Sequence, residues 1–168
     1  MNKQITSKEK NDLIREHFYY EVFMLINLRN YLIDYFSGRN SLFTIHQNVL
    51  INSILLHSRN LLEFFYYPID KNNNYARARD FMIDWEKKIP NKTKAIIELE
   101  KRTSNECTHL TYNRLVGLEH KKWDLISMTN DLIKLIKLFL DNLPQTYFDE
   151  KLISLHNNLK AIDTKNGK

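Results

Sequence analysis

The 168-residue sequence has little glycine or proline, with three of each. Because turns and strand connections are built largely from these residues, their scarcity argues against a β-rich fold. Glycine-rich phosphate-binding motifs are also missing, which excludes a dinucleotide-binding fold. The chain is therefore expected to be all-α.

Cysteine is scarce as well, because Cys107 is the only one. A single cysteine cannot form an internal disulfide and gives no sign of an oxidising compartment. Cys107, His57, His109 and His120 do not form a zinc motif, since neither HExxH nor paired CxxC accompanies them and Cys107 and His109 point to different faces of a helix. We expect no metal and no other cofactor.

Long apolar runs are also missing. No stretch approaches the roughly 18 to 20 apolar residues that span a bilayer. The opening "MNKQITSKEK" is polar where a signal peptide would turn apolar. These features predict a cytoplasmic protein without a membrane partner.

What the sequence does contain is the composition of a folded domain, with 43% hydrophobic and 27% charged residues. Its length suits one core, which typically serves about 100 to 200 residues. We expect a single domain over residues 1–168, with a polar loop near 68–78 and a flexible tail near 163–168. The formal charge of +5 is compatible with an anionic partner such as RNA.

Apolar residues recur at helical spacing in the first half of the chain. Thr6 and Glu9 have capping-box spacing and predict a helix over about 7–37. A second helix is predicted between Ser41 and Pro68. Its sequence is apolar around most of the circumference, which predicts a central position in the fold.

The second half continues the helical pattern. A short helical piece is expected in "RDFMIDWEKK", and Pro90 precedes a third long helix. The fourth helix ends at Pro144 and turns six residues inward: Trp123, Ile126, Leu132, Ile133, Ile136 and Leu140. A last helix spans about 149–162, which completes an antiparallel bundle of four to five helices.

The segment "KRTSNECTHLTYNR" carries the strongest candidate for chemistry. On a helix, Arg102 and His109 lie about 20° apart around the axis and about 10 Å apart along it. A histidine can move a proton near neutral pH and an arginine can hold a phosphate, which suits RNA cleavage without a metal. Asn105 and Glu106 lie between them, where they can orient the histidine or bind a ribose hydroxyl. In the alternative interpretation, Arg102 pairs with Glu98 and His109 bonds a carbonyl at the helix end.

Arg102, six intervening residues and His109, in a small all-α bundle, resemble the motif of the HEPN superfamily (higher eukaryotes and prokaryotes nucleotide-binding domains). In that superfamily, an arginine a few residues before a histidine often marks a metal-independent endoribonuclease. The resemblance implies that His109 assists attack by the ribose 2′-hydroxyl and that Arg102 holds the scissile phosphate. Family members frequently have Asn, Asp or His directly after the arginine, where this chain has Thr103.

The same resemblance has implications for partners. HEPN bundles commonly dimerise so that two motifs form one RNA-cleaving cleft. It therefore implies an RNA substrate and a homodimer. A toxin–antitoxin or phage-defence role, with an antitoxin protein as partner, follows from the superfamily analogy alone.

The stretch "LLHSRNLLEFF" places His57, Arg59 and Asn60 in an otherwise apolar helix. Buried polar groups without partners cost about 1–3 kcal/mol each, so we expect Asn60 to face the core and to meet the 102–109 segment. In the functional interpretation, His57, Arg59 and Asn60 would contact substrate or orient His109. Alternatively they form a network that fixes helix register, with Arg59 paired to Glu63. This stretch and "HLTYNR" also resemble segments of uncharacterised bacterial helical proteins.

The aromatic stretches "HFYYEVF" and "EFFYYP" can stack RNA bases, but their helical spacing favours a core or dimer interface. Two functions follow from the sequence. One is a HEPN-like RNA-directed protein, including a metal-independent endoribonuclease. The other is a non-catalytic helical module for dimerisation or interaction, and a small-ligand pocket in the bundle is a third interpretation.

Overall fold

The structure is a computed structural model that describes residues 5–37, 44–67, 75–104 and 124–165. All of the regular structure in these ranges is helical, which confirms the all-α prediction. None of the helices within them is long and apolar enough to cross a membrane. The elements are α1 (Ser7–Asp12), a π-helical turn (Leu13–Phe18), α2 (Tyr19–Ser37), α3 (Thr44–Tyr66), a 3-10 turn (Ala78–Asp80), α4 (Trp85–Lys88), α5 (Lys94–Arg102), α6 (Leu125–Asn142), a 3-10 turn (Gln145–Tyr147) and α7 (Glu150–Lys165).

The first predicted helix begins at the expected cap. The Thr6 hydroxyl accepts the Glu9 N–H at 3.2 Å, and the Glu9 carboxylate accepts the Thr6 N–H at 2.9 Å. The π-helical turn interrupts the regular α-helix, and at its end the Tyr19 N–H donates to the carbonyl of Ile14, five residues back. The sequence did not predict this turn, which widens the helix where it borders α3.

Helices α2 and α3 pack side by side, and α6 packs against both. Near one end of the α2–α3 pair, the Tyr20 ring lies 5.7 Å from the His57 ring. Towards the other end, the Gln47 amide donates to the Tyr35 hydroxyl at 3.1 Å. These two contacts show that α2 and α3 run antiparallel. α5 packs on α6 and α3, and α7 packs on α2 and α6.

Aromatic rings occupy the centre of the core. Phe139 of α6 is fully buried, and its ring centroid lies 5.2–5.6 Å from those of Phe18, Phe64, Phe65 and Trp85. The Trp85 indole N–H donates to the Phe65 carbonyl at 3.1 Å, so its polar atom is satisfied inside the core. Burial of these rings therefore joins α3, α4, α6 and the π-helical turn.

Most of the inward-facing residues predicted for the fourth helix are in the core. Four of them are buried: Leu132, Ile133, Ile136 and Leu140. Ile126 is half-buried, and Trp123 lies outside the described residues. The hydrophobic pattern thus identified the core face of α6.

Thr93 determines both where α5 begins and how it sits on α6. Its hydroxyl accepts the Ile96 N–H at 3.2 Å as the N-cap of α5 and donates to the Asp131 carboxylate at 2.7 Å. The hydrogen bonds from Thr93 and then from Lys134 lower the pKa of the Asp131 carboxyl below its usual value. This cap anchors the helix that carries Arg102.

Candidate functional site

Arg102, the predicted phosphate-binding residue, lies at the end of α5 and is only 6% exposed. Its Nε is 4.0 Å from a Glu98 carboxylate oxygen, which is the pair that the alternative interpretation predicts. The neighbouring Thr103 is 1% exposed and donates to the Glu100 carbonyl at 2.9 Å. At this exposure, little of the guanidinium surface is open to a phosphodiester.

The other half of the predicted motif lies outside the described residues. This applies to His109, the proposed base, and to Asn105 and Glu106 between it and the arginine. The convergence of Arg102 and His109 on one phosphate therefore stays a prediction.

His57 is buried, and its partner comes from α2. Its Nδ1 lies 2.7 Å from a Glu21 carboxylate oxygen, and its ring makes an edge contact with Tyr20. His57 is 6% exposed, so this hydrogen bond operates where water screens it little. The contact fixes α3 against α2.

The predictions for Arg59 and Asn60 have different outcomes. The Arg59 Nε donates to Glu63 at 2.8 Å, which confirms the predicted pair within α3. Asn60 is exposed, so the prediction that it faces the core is wrong. It lies one helical turn after Leu56, which is 53% exposed, whereas the neighbouring Leu61 faces the core.

A cavity that the sequence did not predict lies beside the π-helical turn. It has a volume of about 300 Å³ and lies between that turn, α2, α3 and residues 75–77. Its lining combines apolar side chains with charged ones, among them Glu21, Glu63 and Arg77. We call it the π-turn cavity.

A second feature is the outer surface of the α2–α3 pair. Its members are the exposed residues from Tyr20 to Tyr31 and from His46 to Asn60, and apart from His46 none has a side chain that carries charge. They are Tyr20, Phe23, Asn27, Asn30, Tyr31, His46, Asn48, Val49, Asn52, Leu56 and Asn60. We call this surface the α2–α3 face.

The α2–α3 face differs from the other helices. On α5, for example, the exposed residues include Lys94, Glu98 and Lys101. In a chain of which 27% is charged, an uncharged surface with three exposed aromatic side chains is typical of a protein–protein interface. The sequence did not predict that these residues face outward.

Within the described part of the chain, no group of three or more His, Cys, Asp and Glu side chains could hold a metal ion. Comparisons with protein-family models, curated proteins and solved structures found no match. The resemblance to the HEPN superfamily therefore rests on the spacing of Arg102 and His109 and on the all-α architecture.

Proposed function

We propose that the protein is a non-catalytic helical interaction module that forms a homodimer through the α2–α3 face. The observation that carries the proposal is the combination of exposed aromatic residues with the lack of Asp, Glu, Lys and Arg among the exposed residues from Tyr20 to Tyr31 and from His46 to Asn60. The nearest charges are Asp34, exposed one turn after Tyr31, and Arg59, which is paired with Glu63. Tyr20, Phe23 and Tyr31 are 52%, 41% and 56% exposed, and Val49 and Leu56 of α3 are 60% and 53% exposed. Association would remove this apolar area from water.

A second copy of the chain is the occupant that this face fits best. In a two-fold dimer the same surface meets itself, and a surface without charge brings no like charges together. The exposed parts of these side chains supply on the order of 500 Å² per protomer, and the resulting total of about 1,000 Å² is where specific interfaces begin. An RNA strand, by contrast, would require Lys or Arg on the face it contacts.

Two polar pairs beside the face hold it in shape. His57 bonds Glu21 across the two helices, and Arg59 bonds Glu63 along α3. A preformed face loses less conformational entropy on association than a mobile one does. In this proposal, the polar residues in the helices give rigidity and specificity in place of chemistry.

Leu56→Lys should weaken the dimer by about 100-fold or more, because each copy would bury an unpaired ammonium group in the interface. Sedimentation velocity over a concentration series measures the dissociation constant. Ile153→Lys is the matched control, since Ile153 has a similar exposure of 47% but lies on α7. A wild-type chain that stays monomeric at about 0.1 mM, or equal weakening by both variants, would contradict the proposal.

The second candidate is a HEPN-like, metal-independent endoribonuclease of a toxin–antitoxin or phage-defence system. It is supported by the spacing of Arg102 and His109 and by the net charge of +5. The burial of Arg102 weighs against it. Its substrate would be RNA, and its protein partners would be a second copy and an antitoxin.

If this second candidate is correct, Arg102→Ala and His109→Ala should each lower RNA cleavage by about 100-fold or more, since each removes a group that acts on the reacting phosphodiester. Cleavage of mixed RNA in excess EDTA is the measurement. Arg79→Ala is the control, because Arg79 pairs with Glu86 away from α5, and circular dichroism reports whether each variant folds. The complete lack of wild-type cleavage would reject this candidate.

A further inference from the structure

The geometry points to a ligand for the π-turn cavity: a small zwitterion with an apolar body, of the class of the free α-amino acids with apolar side chains. The cavity is lined by two carboxylates from its helices, by a guanidinium from residues 75–77 and by apolar side chains. This arrangement matches the two charges and the body of such a ligand.

The size and shape of the cavity suit a small molecule. Its volume of about 300 Å³ lies at the lower end of the range for ligand pockets. Leu13, Phe18, Leu61 and Phe64 supply its apolar surface. One wall is the π-helical turn, a rare element that is frequently found at functional sites.

Glu21 and Glu63 provide the acceptors for an ammonium group. One Glu21 oxygen bonds His57 and one Glu63 oxygen bonds Arg59, which leaves the second oxygen of each without a hydrogen bond among the described residues. Their side chains are 24% and 26% exposed, so water screens them only in part. An ammonium group has three donors and can bond both free oxygens.

Arg77 provides the donors for a carboxylate. Its backbone N–H is fixed by the Asp80 carboxylate at 2.7 Å, and its guanidinium carbon lies 5.1 Å from the centre of the Tyr75 ring. One terminal nitrogen of the guanidinium donates to the Ala76 carbonyl at 3.3 Å. Its Nε is buried and has no hydrogen-bond partner within the described ranges, where Arg77 also has no ion-pair partner. A guanidinium binds a carboxylate through two parallel hydrogen bonds, so a ligand carboxylate would satisfy the buried donor.

The combination of charges discriminates between ligand classes. A simple anion would be attracted by Arg77 but repelled by the two carboxylates. A simple amine would be attracted by the carboxylates but repelled by Arg77. A zwitterion satisfies both walls at once. The apolar surface then favours leucine-like or phenylalanine-like side chains over polar ones.

Isothermal titration calorimetry with L-leucine and L-phenylalanine tests the proposal. We expect at least one of them to bind. The matching analogues of leucine that lack one charge, 4-methylpentanoate and 3-methylbutylamine, should bind at least about tenfold more weakly, because each can make only one of the two sets of charge-assisted hydrogen bonds. Glu63→Gln and Arg77→Gln should each weaken binding of the amino acid by about tenfold or more for the same reason.

Arg79→Gln is the matched control, since Arg79 lies two residues from Arg77 but pairs with Glu86. It should leave the affinity unchanged. Thermal unfolding without ligand identifies a variant that fails to fold. If Arg77→Gln fails to fold, Glu63→Gln still tests the proposal. Failure of both amino acids to bind, equal binding of the single-charge analogues, or equal losses in Arg77→Gln and Arg79→Gln would each overturn the proposal. Leu56→Lys should still bind the amino acid, so the failure of the dimer proposal can be distinguished from the failure of this one.

Discussion

Phe139→Ala should lower the free energy of unfolding by about 3–5 kcal/mol, the range for removing a large aromatic side chain from a packed core. Phe139 has no exposed surface, and four aromatic rings lie around it: Phe18, Phe64, Phe65 and Trp85. The substitution removes each of these ring contacts and leaves a cavity at the point where α3, α4 and α6 meet. Packing on several sides prevents the surrounding helices from closing that space completely.

Urea unfolding followed by circular dichroism measures this loss. Phe148→Ala is the control, because Phe148 is only partly buried and its ring lies 5.8 Å from the His156 ring at the edge of the core. We expect it to lose less than about half as much stability as Phe139→Ala. If the two substitutions cost the same, Phe139 is not the centre of the core.

The parts of the fold that depend on neighbours in the sequence were predictable. The reciprocal hydrogen bonds between Thr6 and Glu9 span three residues. The ion pairs of Arg59 with Glu63 and of Arg102 with Glu98 each span four. At such spacing, helical geometry alone brings the groups together. The sequence therefore predicted these contacts without knowledge of the tertiary structure.

The orientation of α3 was not predictable in the same way. No Asp, Glu, Lys or Arg occurs from Thr44 to Ser58, and apolar residues surround most of the helix. Without a charged stripe, the pattern does not mark which side faces water. The pattern therefore predicts that Asn60 faces the core, whereas the structure exposes it together with Leu56.

Contacts between distant residues were also missed. His57 and Glu21 are 36 residues apart, and Arg29 reaches Asn130 over 101 residues. Such pairs depend on how the helices pack, which a single sequence does not specify. The π-helical turn had no sequence signal either, and with it the cavity that it borders was not predicted.

The proposed interface and the π-turn cavity lie on two sides of α3. Leu56 lies on the uncharged outer face, whereas Leu61 and Phe64 line the cavity towards the π-helical turn. Asn60 belongs to both surfaces, since it is exposed and also lines the cavity. A ligand in the cavity would therefore lie next to the proposed interface, and binding measured at different protein concentrations would show whether the two are coupled.

Arg29→Met should raise the free energy of unfolding by about 1–4 kcal/mol, the range for replacing a buried ion pair by well-packed apolar side chains. Arg29 is only 5% exposed on the core side of α2. One of its terminal nitrogens donates to the Asn130 side chain at 2.5 Å, but its Nε has no partner among the described residues, and no carboxylate there lies within ion-pair distance. The guanidinium is thus held away from water without an opposing charge.

The pKa of Arg29 also indicates that its buried charge lowers the free energy of unfolding. Burial lowers the pKa of its guanidinium below the ordinary value. The unfolded chain therefore holds this proton more tightly than the folded chain does. The charge lowers the free energy of unfolding at every pH below the folded-state pKa, and this loss declines only as the pH rises through that pKa. The gain from Arg29→Met should therefore be constant across neutral pH.

Thermal and urea unfolding at several pH values near neutrality measure the effect of Arg29→Met. Arg29→Ala is the matched comparison, since it removes the same charge but also the methylene groups, and the cavity it leaves should offset much of the gain. Methionine is flexible and close in length to the arginine stem, so it can fill that space. A loss of stability in Arg29→Met would show that the bond to Asn130 outweighs the cost of burying the charge. A gain would show that the chain carries this arginine at the expense of its own stability.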